Sequence, residues 1–481
     1  MGKGDVQMDE MLDVKLKTVE RQAEVYYNRY KKHMQSFESK SMLSKVRSIT
    51  PYDLFVLGKQ LEAFDLQRMI MTEEQGNVNL LGKLPSVAYD VITAVQGASI
   101  LPVVASVQPI DEEQGIVYFK TTRSATTRGS QTAGNVVVDP RSNIVTPSAY
   151  SNNAFESVNA QATAAANLGP YNFTLAGAPV KAESFSCLLS TNTAVKGRDF
   201  GPASGSAIGE IFGVGLSGTI NYSTGAVSIT FSADPGVAQI VVSYQQNYEL
   251  STDIPQIDTY FASQSILARV YALKGTMGIL QSFGMTKRFG LVAEDELAKD
   301  LTVEINRELG GDAVRKLKAV AVGTTTFSRT APAGVSYFEH KQTYKDALAV
   351  ADSTLVGNAG RGTISVLIVG RNHASLISTL PGFVKLTDGS TLGSHVFGTL
   401  DGITVVRVME SNILAVDEGL ALWKGLSPFE AACVYSPYMP LTVTGTLPQS
   451  PNPLQSMRAA AVWAGIDALV PNYVTKFNVI P

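Results

Sequence analysis

Cysteine is nearly missing from this chain, with Cys187 and Cys433 the two present in 481 residues. They lie far apart and inside apolar runs, so they read as small buried hydrophobes rather than a disulfide. That usage suits a reducing cytoplasm or a stability that needs no crosslink. Histidine is as scarce. His33, His340, His373 and His395 are scattered, with no i,i+4 pair and no cysteine at ligand spacing, which argues against a metal site. No window approaches about 18 apolar residues, so no transmembrane helix is expected. The opening MGKGDVQMDEML has no apolar signal core, and Val6 stands where a myristoylation signal would want Ser or Thr. Charge is thin: Asp, Glu, Lys and Arg make up 17% and sum to a net -3, a balance that does not announce a nucleic-acid-binding protein. Little charge with abundant glycine and small polar residues fits a surface largely covered by neighbours.

Catalytic signatures are missing too. There is no P-loop and no G-x-S-x-G elbow, and neither cysteine has a local catalytic context. Gly213, Gly215 and Gly218 in GVGLSG satisfy G-x-G-x-x-G, but a dinucleotide site needs that motif to open a helix, and here it runs into strand-like TINYSTGAVSITF. Asp111, Glu112 and Glu113 are consecutive acids in a turn, which reads as solvated. No enzyme, cofactor or metal constellation emerges.

What the chain does have is a long amphipathic stretch, Gly290 to Gly310. Ala293, Leu297, Leu301, Ile305 and Leu309 recur every four residues, placing one apolar row along a helix about 28 Å long. Glu294, Asp295 and Glu296 suit the positive end of its dipole, and Gly310 with Gly311 is expected to end it. A single stripe predicts packing on one side. Earlier in the chain, Leu12, Leu16, Val19, Ala23, Tyr26, Tyr30, Met34 and Phe37 are spaced near a heptad seam among basic residues. A short coiled coil, a helix laid on another subunit and a helix packed on its own domain all fit that spacing.

The length suggests about three domains. Asp53 to Met71 reads as a helix, Glu73 to Gly82 as a linker, and Pro85 opens a helix with Val87, Val91 and Val95 on one face. Ile100 to Val107 reads as a β-branched strand, and Ile116 to Phe119 as another. Thr121 to Ala165 is too polar to bury itself and must be a long loop or hairpin supported from outside. Gly169 to Tyr248 alternates as short strands, an all-β insert. Later come a helix from Tyr344, a buried strand at Ile364 to Val369, and a helix capped by Asn372. Strands at Ile403 to Val408, Ala421 to Trp423, Ala432 to Tyr435 and Leu441 to Val443 complete a mixed α+β core.

Three blocks in order then resemble the major capsid proteins of tailed bacteriophages, of the T-even-like and jumbo myovirus type. LPSVAYDVITAV followed by SVQPIDEEQGIVYF, Leu84 to Phe119, is similar to the family's helix and strand pair. ARVYALKGTM with GLVAEDELAKDLTVEINRE, Ala268 to Glu308, resembles its extended strand, short helix and long helix ending in E-I-N-R-E. GLSPFEAACVYSPYMPL, Gly425 to Leu441, resembles its late G-x-S-P strand. MRAAAVWAGIDAL, Met457 to Leu469, departs from the pattern, lacking the basic and aromatic residues expected there.

The resemblance implies an α+β HK97-like phage capsid fold with an all-β insertion domain in its E-loop. It divides the chain into an N-terminal helical arm (1–83), a first part of the P-domain (84–119) and an E-loop region (120–257) carrying the β-rich insert (169–248). After these come the E-loop return and spine helix (258–310), an A-domain (311–426) and C-terminal P-domain strands (427–481). It implies copies assembling as hexamers and pentamers into an icosahedral head around double-stranded DNA, built in the host bacterial cytoplasm and ending in the virion. Partners would be the chain itself, scaffold, portal and decoration proteins, and DNA contacted without sequence preference, with no membrane and no cofactor. Ala293, Leu297, Leu301, Ile305 and Leu309 would form the spine packing face, and Leu12, Leu16, Val19, Tyr26 and Tyr30 an N-arm interface. Members of the family often lose an N-terminal segment to a maturation protease, so a chain written from Met1 is either uncut or not subject to cutting. Two rivals stand beside this reading: an encapsulin-like cargo compartment, and a carbohydrate-binding or adhesin protein acting through the β insert.

Overall fold

The computed structural model describes residues 17–75, 93, 99–126, 132–139, 144–145, 158–175, 177–202, 207–247, 249–250, 256–290, 292–387, 393–425, 427–444, 447–448 and 454–480. The helix expected from Pro85 therefore lies outside the described residues apart from Thr93, and Leu12 and Leu16 also lie outside them.

Residues 17–29 are helical and lead into α1 (Lys31–Lys40), α2 (Met42–Val46) and α3 (Pro51–Gln75). α4 (Leu101–Val104), β1 (Ser106–Val107) and β2 (Gln114–Ser124) follow. The next strands are β3 (Val136–Asp139), β4 (Ile144–Val145), β5 (Val158–Ala162), β6 (Tyr171–Thr174), β7 (Ser186–Leu189) and β8 (Lys196–Pro202). β9 (Ile208–Val214), β10 (Leu216–Asn221), β11 (Ala226–Phe231) and β12 (Gln239–Ser243) complete that series. Two long strands, β13 (Ile257–Leu267) and β14 (Arg269–Gly278), precede α5 (Ile279–Phe289) and α6 (Ala293–Val320). Then come β15 (Thr324–Ser328), α7 (Tyr337–Gln342), α8 (Tyr344–Ala359), β16 (Val366–Val369), α9 (Arg371–Ile377) and β17 (Phe383–Lys385). The chain closes with β18 (His395–Leu400), β19 (Ile403–Arg407), β20 (Gly419–Leu422), β21 (Cys433–Val443), β22 (Leu447–Pro448), β23 (Gln455–Ala468) and β24 (Val474–Ile480).

The chain forms two compact units whose boundaries fall inside β2 and β13. The larger holds two sheets. One runs β1-β21-β23-β14 with β22 on β23, and α6 packs against β14 and β23. The other is seven-stranded, β15-β24-β20-β16-β19-β18-β17, with α8 against β15 and β24. β16 is buried at all four positions, as its uninterrupted apolar run requires. The smaller unit is built on an eight-stranded antiparallel sheet, β5-β12-β7-β8-β9-β10-β11-β6, with its own core of Phe185, Cys187, Ile211, Ile220, Ile229 and Ile240 among others. Its strands begin at Val158, ahead of the expected Gly169.

Several sequence expectations need correction. The long helix does not stop at Gly310 but continues to Val320, so the division expected between 310 and 311 falls inside α6. Gly310 and Gly311 are there for closeness. A Cβ on Gly311 would stand 2.6 Å from Ile413 Cδ1, and one on Gly310 3.3 Å from Ile100. The segment 427–481 divides between sheets: β21 to β23 pair with β14, whereas β24 lies between β15 and β20. Of Ile100 to Val107 only Ser106 and Val107 form a strand, while Leu101–Val104 form the helix α4, buried at all four positions, because a run buried all round carries no periodicity to separate helix from strand. Asn372 sits inside α9, whose N-cap is Gly370. The glycines of GVGLSG serve a hairpin: Gly215 turns at φ 77°, and Cβ atoms on Gly213 and Gly218 would strike Lys196 O and Ser228 O.

Candidate assembly surface

The apolar row of α6 faces its own subunit. Ala293, Leu301, Ile305 and Leu309 are buried, Leu297 is half-buried, and the row continues through Ala313, Val314 and Leu317. Its counterpart on β14 is Gly275, where a Cβ would come within 2.6 Å of Leu297 Cδ1 and 3.3 Å of Leu301 Cδ2. Tyr271 Oη on the same strand donates to Asp312 at 3.0 Å, and burial with that carboxylate raises the Tyr271 pKa. The opposite side of α6 exposes Asp300, Val303, Glu304 and Glu308, with Arg307 bridging Glu304 at 3.1 Å and Glu410 at 2.5 Å.

The N-terminal residues also find partners within the chain. Tyr26 and Tyr30 are buried with Leu57, Leu61 and Phe64. Gly58 admits the Tyr26 ring, since a Cβ there would lie 2.4 Å from it. Tyr26 Oη donates to Glu62 and Tyr30 Oη to Asp65, each at 2.5 Å. Burial and the Glu62 carboxylate push the Tyr26 pKa up to about 12. Val19 is half-buried.

Unlike these elements, α5 has no buried residue. It is an 11-residue helix ended by Gly290 at φ 66°, and Leu280, Phe283 and Phe289 on it are 86, 65 and 71% exposed. A helix that short is marginal in water without tertiary packing. Within the same unit, β13 and β14 continue the pattern, leaving Leu267, Val270 and Leu273 exposed. Large contiguous apolar exposure marks an interaction surface. The period-four reading of α6 missed it because a stripe says only that something covers the helix. α5 shows its signal in Ile279, Leu280, Phe283 and Phe289, apolar residues spread along a short helix that the described residues leave unburied.

Buried ionisable groups in both units serve packing. His373 is fully buried, shares a 2.7 Å hydrogen bond with Tyr344 Oη, and is driven down to a pKa of about 3 by burial. Lys424 Nζ donates to Pro102 O, and burial lowers its pKa to about 7. Cys187 and Cys433 are buried free thiols, pushed up to about 12 by desolvation. Among the described residues no group of three or more His, Cys, Asp or Glu could hold a metal, and no described helix is long and apolar enough to cross a membrane.

Residues 83–462 match the family model described as Major capsid protein Gp23. The chain belongs to that family. The capsid proteins of this family are structural: they self-associate into the head shell of a bacteriophage and reside in the virion capsid. The fold is accordingly the α+β HK97-like capsid fold. Among solved structures the chain is similar to the capsid of jumbo bacteriophage PhiKZ, with 10% identity and a TM-score of 0.42 over 78% of this chain and 91% of that one. It is also similar to the capsid of Myoviridae phage XM1, with 10% identity and a TM-score of 0.32 over 49% and 81%. For the mature capsid of bacteriophage PhiM1 the identity is 13% and the TM-score 0.32, over 49% and 78%. No curated protein matches the chain.

Proposed function

We propose that this capsid subunit assembles as hexamers and pentamers into the icosahedral head of a tailed bacteriophage, enclosing double-stranded DNA, and that α5 with the outward face of β14 seats on neighbouring subunits. The observation that carries this is α5, an apolar helix with no buried residue. Covering Leu280, Phe283 and Phe289 would contribute on the order of 1.5–3 kcal/mol each, and the gain repeats at every subunit contact in a closed shell. In this reading α6 is the spine, its apolar row holding the subunit together while its acidic side meets solvent, DNA or a neighbour. The N-terminal helices form an arm anchored on α3 through Tyr26 and Tyr30, and the segment bearing Leu12 and Leu16 reaches another subunit or a scaffold. Portal and decoration proteins bind the assembled shell. DNA is contacted without sequence reading, which a subunit of net charge -3 allows. Assembly takes place in the host bacterial cytoplasm. Electron microscopy of the purified chain tests the proposal: closed shells are expected, and a preparation containing only soluble monomers would refute it.

A further inference from the structure

A sheet with one face in a core normally alternates polar residues to the other. The β-rich unit departs from this on one side. Phe200, Phe212 and Val214 point outward at 68, 52 and 63% exposure, and Leu188 and Val241 are half-exposed on the same face. The registers set these in rows. Val241 is beside Leu188, Leu188 beside Lys196, and Lys196 beside Val214; in the next row Arg198 stands beside Phe212. The Phe200 and Phe212 rings are 6.2 Å apart. Together they line a groove of about 500 Å³ whose ionic groups, Lys196 and Arg198, are both cations; Glu210, further along β9, is outside the lining.

None of the strands under the groove is an edge, for the edges of this sheet are β5 and β6. Their main chains are engaged by neighbouring strands, so an occupant cannot add as a further strand and must be recognised by side chains. What fits is a surface that is acidic at one end and apolar at the other. The larger unit carries one: Asp111, Glu112 and Glu113 form an exposed turn, and β2 continues from it with Ile116 and Tyr118 outward and Val117 and Phe119 inward. Asp111 is engaged by Lys59 at 2.9 Å, which leaves Glu112 and Glu113 as the acids on offer.

We propose that in the shell the groove of one subunit receives the Asp111–Tyr118 turn and strand of a second copy, Glu112 and Glu113 meeting Lys196 and Arg198 while Ile116 and Tyr118 cover Phe200 and Phe212. The inference rests on the shell reading above. Every copy carries both surfaces, and two different patches on identical subunits make the head-to-tail contact from which rings are built.

The test uses the full chain with Arg198→Cys and Glu112→Cys combined, since both native thiols are buried. Purified particles are oxidised and run on a non-reducing gel. A ladder of covalent multimers is expected, lacking in either single variant; monomer bands alone from intact particles would overturn the contact, whatever else the groove binds. If the double-cysteine chain does not assemble, charge reversal decides. Lys196→Glu with Arg198→Glu should cut particle yield by about tenfold or more, and adding Glu112→Lys with Glu113→Lys should restore it. Reversal without effect, or without restoration, overturns the proposal. Absence of particles from the unaltered chain would instead sink the shell reading itself.

Discussion

Leu301 and Val303 stand two residues apart on α6 and should respond to truncation very differently. Leu301 is 4% exposed and faces β14, whereas Val303 is 36% exposed and on the far side. A buried Leu→Ala change costs about 2–5 kcal/mol, the spread reflecting how far neighbours collapse into the space. Collapse is hindered here. The site is floored by Gly275, on a strand paired residue for residue with β23, and a glycine has no side chain to swing into the gap. Leu301→Ala therefore belongs in the upper part of that range, about 3–5 kcal/mol. Val303→Ala should stay within about 1 kcal/mol. Leu301→Asp adds an unpaired charge to the buried face and should prevent folding of the larger unit. Urea titrations followed by tryptophan fluorescence measure this, because both tryptophans, Trp423 and Trp463, lie in that unit and Trp463 is on β23 under α6. A loss below about 1 kcal/mol for Leu301→Ala, or equal losses for both variants, would refute the assignment of the packing face.

Three further predictions follow the same logic. Asp199, buried in the β-rich unit, accepts from Tyr222 Oη at 2.8 Å, Glu183 N at 2.8 Å and Gly201 N at 3.0 Å. Asp199→Ala orphans all three donors and should cost roughly 3–6 kcal/mol. Hydrogen exchange should then quicken in β8 and β9 but not in α6, and unchanged exchange in β8 would contradict the argument. Lys424 titrates near 7 in the folded chain against an ordinary 10.5, so folding must hold it neutral or bury a charge. The destabilisation is full below about pH 7 and relieved as pH rises toward 10.5, where the unfolded chain also loses the proton. Lys424→Met should accordingly raise the unfolding midpoint more at pH 6 than at pH 9, an expectation that a pH-independent gain would defeat. Finally, Cys187 and Cys433 should resist a thiol reagent at about pH 8 in the native protein and both react after denaturation, since only the thiolate is nucleophilic. Fast native labelling would show that a thiol is open.

Periodicity located elements well where one face meets a core and another meets water. The row Leu301, Ile305, Leu309 and the alternation Val227, Ile229, Phe231 are buried as their spacing requires. It failed where burial is uniform, as in α4, and where glycine has two uses. Gly310 and Gly311 look like a helix end, yet they let Ile100 and Ile413 approach a helix that continues. β24 was invisible as a partner of β15 and β20 because strand order is a long-range property that no local window carries. The apolar face of α5 was written in Leu280, Phe283 and Phe289, but whether a stripe meets its own chain or another becomes decidable only once the chain's own contacts are known. The platform of Phe200 and Phe212 was hidden for a related reason: their strands read as ordinary alternation, and only the register brings Arg198 beside Phe212.

The central claim is that α5 is held by a neighbouring subunit, and Phe283→Asp tests it most directly. Its side chain is 65% exposed and belongs to none of the buried cores of the described residues, so the variant should fold with unchanged circular dichroism and tryptophan fluorescence. Electron microscopy and sedimentation of the variant beside the unaltered protein are then decisive. The account predicts shells from the unaltered chain and only free subunits or small oligomers from the variant. Normal shells at normal yield from Phe283→Asp would contradict it.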